Sequence, residues 1–209
     1  DSIFKSIFVI IYGVKYMKVL KKSNIKLVVL TKFHQKFIQK IINSSSKVYV
    51  FPNPLQLKTT KNDEKENFIF YGGRISKEKG LEELIQSFLK ANLVNTKLKI
   101  AGEGPLSYEL KDKYGENSNI EFLGLQSNMQ VLDYISKSLA VISATRLYEG
   151  QPTLLCEASI LGVPSIFPDT GGINEFFPKD YKFSYNQFKY DELVNKLRMI
   201  EDKTLLNEI

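Results

Sequence analysis

Apolar runs of strand length alternate with amphipathic runs of helix length along almost the whole chain, and this alternation constrains the fold more than any single residue does. The strand-length runs are KLVVL (26–30), KVYVF (47–51), NFIFY (67–71), KLKIA (97–101), the run at 119–122, LAVIS (139–143) and VPSIF (163–167). The helical runs lie near 2–22, 32–43, 80–92, 105–114, 128–137, 153–162, 172–177 and 189–200. Such an order predicts an α/β fold, a mainly parallel sheet with helices on both faces. The stretch at 52–66, PNPLQLKTTKNDEKE, interrupts the alternation with two prolines and a polar run. It reads as a linker between two α/β units, 1–58 and 59–209.

Composition bounds what these units can do. The chain has 43% hydrophobic and 25% charged residues, which predicts a packed core rather than disorder. Its one cysteine, Cys156, excludes an internal disulfide framework and fits a reducing compartment, so a cytoplasmic location is expected. The chain begins at Asp1 rather than Met, as a piece of a longer protein would.

Charge is uneven. Residues 1–58 hold eleven lysines and one acid, Asp1, a balance of +10, so the remainder sums to −4 within a net +6. A basic end points to an anionic partner, either a membrane surface or nucleic acid. Nucleic-acid signatures are absent, which leaves the membrane. The segment IFKSIFVIIYGVKYMKVL (3–20) is interrupted by Lys5, Lys15 and Lys18 and is too charged to span a bilayer. It reads either as a core helix with a solvated lysine face or as an interfacial helix at the inner face of an anionic membrane.

In a parallel sheet of this kind, ligands bind where the carboxyl ends of the strands meet helix N-termini, so the chemistry belongs in those loops. GGRISKEKG (72–80) offers Gly72 and Gly73 for close backbone approach, with Arg74 and Lys79 as cations suited to phosphate oxygens. A generic turn with two surface cations fits the same residues. GEGP (102–105), with Glu103 and Gly104, and LGLQSN (123–128), with Leu125, are turns that could also hold a nucleobase.

In LYEGQPTLLCEA (147–158), Pro152 suits the first helical position, where its missing N–H is no loss, and the free N–H groups around it, of Gly150, Gln151, Thr153 and Leu154, mark an anion site. Glu149 before the helix and Glu157 inside it can accept hydrogen bonds from sugar hydroxyls on either flank. The bland alternative is a capping acid and a solvated glutamate. His34, the only histidine, reads as a surface or packing residue on the helix 32–43, and Cys156 as an ordinary buried residue.

EGQPTLLCEA resembles the E-x7-E signature of family 4 of the retaining glycosyltransferases, which have the GT-B fold of two facing Rossmann-like domains. FYGGRISKEKGLEELIQSF, LKIAGEGP, IEFLGLQ and PSIFPDTGGINEFF are similar, in order, to that family's other motifs, over about 67–177. LVVLTKFHQKFI and VYVFPNPL are similar to the end of its N-terminal domain. The resemblance implies an incomplete N-terminal Rossmann-like unit at 1–58, on the acceptor side, and a donor-binding domain at 59–209.

It also implies roles. Arg74 and Lys79 would neutralise a donor diphosphate, Glu149 would bind the transferred sugar, and Glu157 would bind the ribose. Gly73, Glu103, Gly104, Leu125 and residues 150–154 would line the donor site. The substrates would be a nucleotide-diphosphate sugar and a glycan or lipid-linked acceptor, with retention, without metal or other cofactor, and with a cell-surface glycan or glycolipid as the product. A non-catalytic nucleotide-sugar-binding module or partner subunit is the alternative. An epimerase or phosphorylase fits less well, given Gly171, Gly172 and Glu175.

Overall fold

The computed structural model describes residues 13–16, 18–19, 21, 26–42, 47–55 and 64–201. The chain divides into two compact units, Asp1–Asn53 and Pro54–Ile209. Most of the helix expected over 2–22 lies outside the described residues, and its described positions are helical. Much of the expected linker, 56–63, also lies outside them.

The described part of the first unit pairs β1 (Leu27–Val29) in parallel with β2 (Val48–Val50), joined through α1 (Lys32–Ile42). Thr31 starts the helix, its hydroxyl accepting the His34 N–H at 3.2 Å, as N-cap residues do. The same hydroxyl lies 2.9 Å from His34 Nδ1, so the histidine is a partner of the helix cap. Ile38, Ile41 and Ile42 pack on Leu27, Val29 and Val48, while Val28, Tyr49 and Phe51 remain exposed.

The second unit is a six-stranded, fully parallel sheet. Its strands are β3 (Phe68–Gly72), β4 (Lys97–Ala101), β5 (Ile120–Gly124), β6 (Ala140–Ile142), β7 (Ser165–Asp169) and β8 (Ser184–Asn186), in the order β5-β4-β3-β6-β7-β8. The helices are α2 (Leu81–Ala91), α3 (Ser107–Tyr114), α4 (Asn128–Lys137), α5 (Thr153–Ile160) and α6 (Tyr190–Met199). This is the α/β class expected from the alternation of the sequence.

Strand side chains alternate between two cores, as a period of two requires. Ile69 and Tyr71 of β3 join α2, α3 and α6 on one face through Leu84, Ile85, Leu110 and Leu193. Phe68 and Phe70 join α4 and α5 on the other through Leu132, Ile135, Leu155 and Ala158. Fully burying one such Phe or Leu is worth about 1.5–3 kcal/mol, so these two layers hold the sheet in place.

Three details differ from expectation. β8 has no apolar run to announce it: among its three residues only Tyr185 is buried, and its partner β7 defines it. The helix expected at 172–177 is a 3-10 turn over Ile173–Phe176. Pro152 stands at the cap of α5, which begins one residue later at Thr153.

Candidate functional site

The winding of the sheet reverses between β3 and β6, and the loops leaving these two strands part to opposite faces. Crevices form at such a point by topology alone. Here the two loops are then stitched back together. Gly80, at φ +65°, lies so close to the chain after β6 that an added Cβ would sit 2.1 Å from the Ala144 carbonyl oxygen. The Arg146 N–H donates to the Glu78 carbonyl at 2.9 Å, and Arg146 Nη1 reaches Glu83 at 3.0 Å.

The cavity in the crevice has a volume of about 250 Å³ and brings together Gly73, Lys79, Glu149, Gln151, Pro152, Thr153 and Leu154 of the residues expected from the sequence. An adjoining cavity of about 350 Å³ shares Gly73 and Leu154 with it and adds Arg74, Glu103 and Leu125. Glu103 continues, with Gly104, into a third. Gly150 and Glu157 line none of the three.

Within the first cavity, Lys79 Nζ lies 2.6 Å from Glu149 Oε1, and the Thr145 hydroxyl donates to the same oxygen at 2.8 Å. Lys79 and Arg74 therefore differ in a way the sequence did not separate. Lys79 is paired with Glu149, whereas Arg74 is exposed and makes no salt bridge among the described residues. The Glu149 backbone is fixed from the β7 side. Gly172 N–H donates to its carbonyl at 2.8 Å, and Gly171, at φ +60°, approaches so closely that a Cβ would lie 2.3 Å from that oxygen.

Glu157 is buried on α5 at 9% exposure, and among the described residues its carboxylate makes no hydrogen bond or ion pair. Burial raises its pKa above the ordinary glutamate value. Burial, with the Glu157 charge adding to it, pushes the neighbouring Cys156 thiol up to about 11, which keeps it protonated and inert. Tyr71 closes the floor of the cavity, its phenol donating to the Arg74 carbonyl at 3.0 Å. Burial first, then the Glu149 charge, holds that phenol well above its usual range.

Sequence reasoning missed Tyr71, Ser143 and Thr145. Tyr71 looked like the apolar end of a strand, and nothing distinguished Thr145 from other loop hydroxyls. The presence of a hydroxyl four residues before Glu149 was the only available signal. Among the described residues no group of three or more His, Cys, Asp or Glu is placed to hold a metal ion, and no helix is long and apolar enough to cross a membrane.

Comparison with known proteins agrees with this architecture. The family model described as Glycosyl transferases group 1 matches residues 53–208. The capsular polysaccharide biosynthesis glycosyltransferase CapM of Staphylococcus aureus is 28% identical over 171 residues, 74% of this chain and 44% of CapM. The putative teichuronic acid biosynthesis glycosyltransferase TuaC of Bacillus subtilis is 34% identical over 110 residues, 52% of this chain and 26% of TuaC. The chain thus spans less than half the length of these curated relatives.

Among solved structures, Anabaena HepE in complex with UDP and glucose matches with a TM-score of 0.78 at 14% identity, over 92% of this chain and 57% of HepE. A mutant of S. aureus TarM, solved with UDP, alpha-GlcNAc-glycerol and fondaparinux, matches with a TM-score of 0.76 at 19% identity, over 92% of this chain and 40% of TarM. At such identities the likeness is one of fold.

Proposed function

This chain belongs to the group 1 glycosyl transferases, and on that footing we propose that its second unit binds a nucleotide-diphosphate sugar. The whole protein would then transfer the sugar to a glycan or lipid-linked acceptor in cell-surface polysaccharide synthesis. The observation that carries this reading is the meeting of Lys79 and Glu149 at 2.6 Å. They come from loops after two different strands and enter one cavity where the winding of the sheet reverses.

In this reading the diphosphate lies against Arg74, Lys79 and the free N–H groups at the start of α5, where cations and a helix N-terminus both favour negative charge. The bond from the anomeric carbon to the phosphate oxygen breaks with its electron pair leaving on the diphosphate, while an acceptor hydroxyl oxygen bonds to that carbon and its proton passes to the leaving phosphate oxygen. Those fixed charges stabilise the leaving group electrostatically, with no need for a metal ion. Glu149 accepts hydrogen bonds from the sugar, Glu157 from the ribose, and Glu103, Gly104 and Leu125 lie around the base. Family 4 and retention of configuration belong to the same proposal, supported by the E-x7-E spacing of the two glutamates.

The first unit is read as the end of the acceptor-side domain. Its two-stranded parallel sheet, with Val28, Tyr49 and Phe51 exposed, supports that reading. Its lysines suit an acceptor held at an anionic membrane surface.

Calorimetric titration of the chain with UDP, GDP and their sugar conjugates, repeated on Glu157→Ala, is the test. The expected result is saturable binding of one nucleotide, weakened about tenfold by losing a charge-assisted hydrogen bond. Binding of none of them would remove the donor reading.

A further inference from the structure

We propose that Thr145 is a positioning residue for Glu149, holding that carboxylate in place once Lys79 has left it for an incoming anion. The inference rests on the donor-site reading above and adds to it a residue that no motif identified.

The Thr145 side chain has one possible arrangement. The residue is 2% exposed, so water does not serve its hydroxyl. The Leu147 N–H donates to Thr145 Oγ1 at 3.2 Å, occupying a lone pair. The hydroxyl proton therefore goes to Glu149 Oε1, 2.8 Å away, and the bond has a fixed polarity. The loop that carries it is fixed as well. The Ser143 carbonyl accepts from the Tyr185 hydroxyl at 3.3 Å, the Arg146 N–H donates to Glu78, and the Thr170 hydroxyl donates to the Leu147 carbonyl at 3.2 Å.

Lys79 is the opposite kind of partner. It is a flexible point charge at the end of a short 3-10 turn, and its side chain keeps 31% of its exposure. An anion entering the cavity that Lys79 lines competes directly for its ammonium group. Glu149 Oε1 then keeps a single donor, Thr145. Oε2 makes no bond among the described residues and faces the incoming hydroxyls as an acceptor. A carboxylate left to rotate would lose that aim, and about tenfold in affinity accompanies the loss of one such bond to a charged group.

The test compares Thr145→Val, which keeps shape and branching, with Thr145→Ser, which keeps the hydroxyl. Calorimetry on the full chain measures UDP and GDP against UDP-glucose, UDP-N-acetylglucosamine and GDP-mannose, with melting curves to show that each variant is folded. The expected result is that Thr145→Val leaves the affinity for the bare nucleotide within about twofold while cutting the extra affinity given by the sugar about tenfold. Thr145→Ser restores it.

A Thr145→Val protein that is folded and keeps the full sugar increment overturns the role of Thr145 and leaves the donor site standing. Equal loss for bare nucleotide and sugar conjugate also overturns it, since that pattern marks a general structural defect. Failure of the unsubstituted chain to bind any of the five removes the donor reading itself, and this role with it.

Discussion

At the scale of single residues, Glu149 and Glu157 stand in opposite electrical situations. Glu149 is met by a cation and a hydroxyl, while Glu157 is buried with neither among the described residues. A carboxyl whose pKa is raised on folding holds its proton more tightly folded than unfolded. The stability it supports is intact below the ordinary value of 4.5 and is lost as pH rises through the raised one. Glu157→Gln is therefore expected to melt a few degrees above the unsubstituted chain near neutral pH, and at the same temperature near pH 4, in paired calorimetric scans.

Donor hydroxyls bonding to the ionised form reverse the argument for binding. Nucleotide affinity should fall as pH drops through the raised pKa, and titrations at two pH values read this directly. Lys79→Ala is expected to weaken a nucleoside diphosphate about tenfold and the monophosphate less, as measured by the ratio of their dissociation constants. Equal weakening of both would place the Lys79 charge elsewhere.

At the scale of elements, the positions of the helices were legible from their amphipathic runs, and at one of them a local start signal is visible as well. Ser127 and Gln130 form a reciprocal capping box at the head of α4, with Ser127 N–H donating to Gln130 Oε1 at 2.9 Å and Gln130 N–H to Ser127 Oγ at 3.4 Å. Ser127→Ala is expected to lower stability by about 1 kcal/mol in denaturant titration while leaving nucleotide binding intact.

Gly171 shows what a local signal cannot convey. Its φ of +60° fits any tight turn, but the cost of a side chain there comes from the Glu149 backbone, twenty-two residues away in sequence. Gly171→Ala is expected to cost about 1–3 kcal/mol and to weaken sugar-nucleotide binding as well, because it displaces the strand of chain that aims Glu149. Strand β8 was illegible for a similar reason. Ser184, Tyr185 and Asn186 carry no alternating pattern, and the backbone of β7 makes them a strand.

At the scale of the whole molecule, every residue placed around the crevice, from Tyr71 to Ile173, belongs to the second unit. A chain beginning at Pro54 is accordingly expected to bind nucleotide within about twofold of the full 209 residues, since it keeps all of those contacts. A large loss in that titration would show that the first unit contributes to the donor site.

The sequence by itself determined the α/β class, because alternating apolar periods leave few other ways to bury the chain. It also determined the loops at which chemistry would sit, because parallel strands send their carboxyl ends to one edge of the sheet. What only the tertiary structure decided is the state of the side chains there: Lys79 is joined to Glu149 and Thr145 donates to the same carboxylate, while among the described residues Arg74 makes no salt bridge and the Glu157 carboxylate no hydrogen bond or ion pair. The Lys79–Glu149 pair depends on a distance of 2.6 Å between loops seventy residues apart. Periodicity reports which face a residue takes within its own element, while hydrogen bonds and charge pairs depend on how separate elements meet.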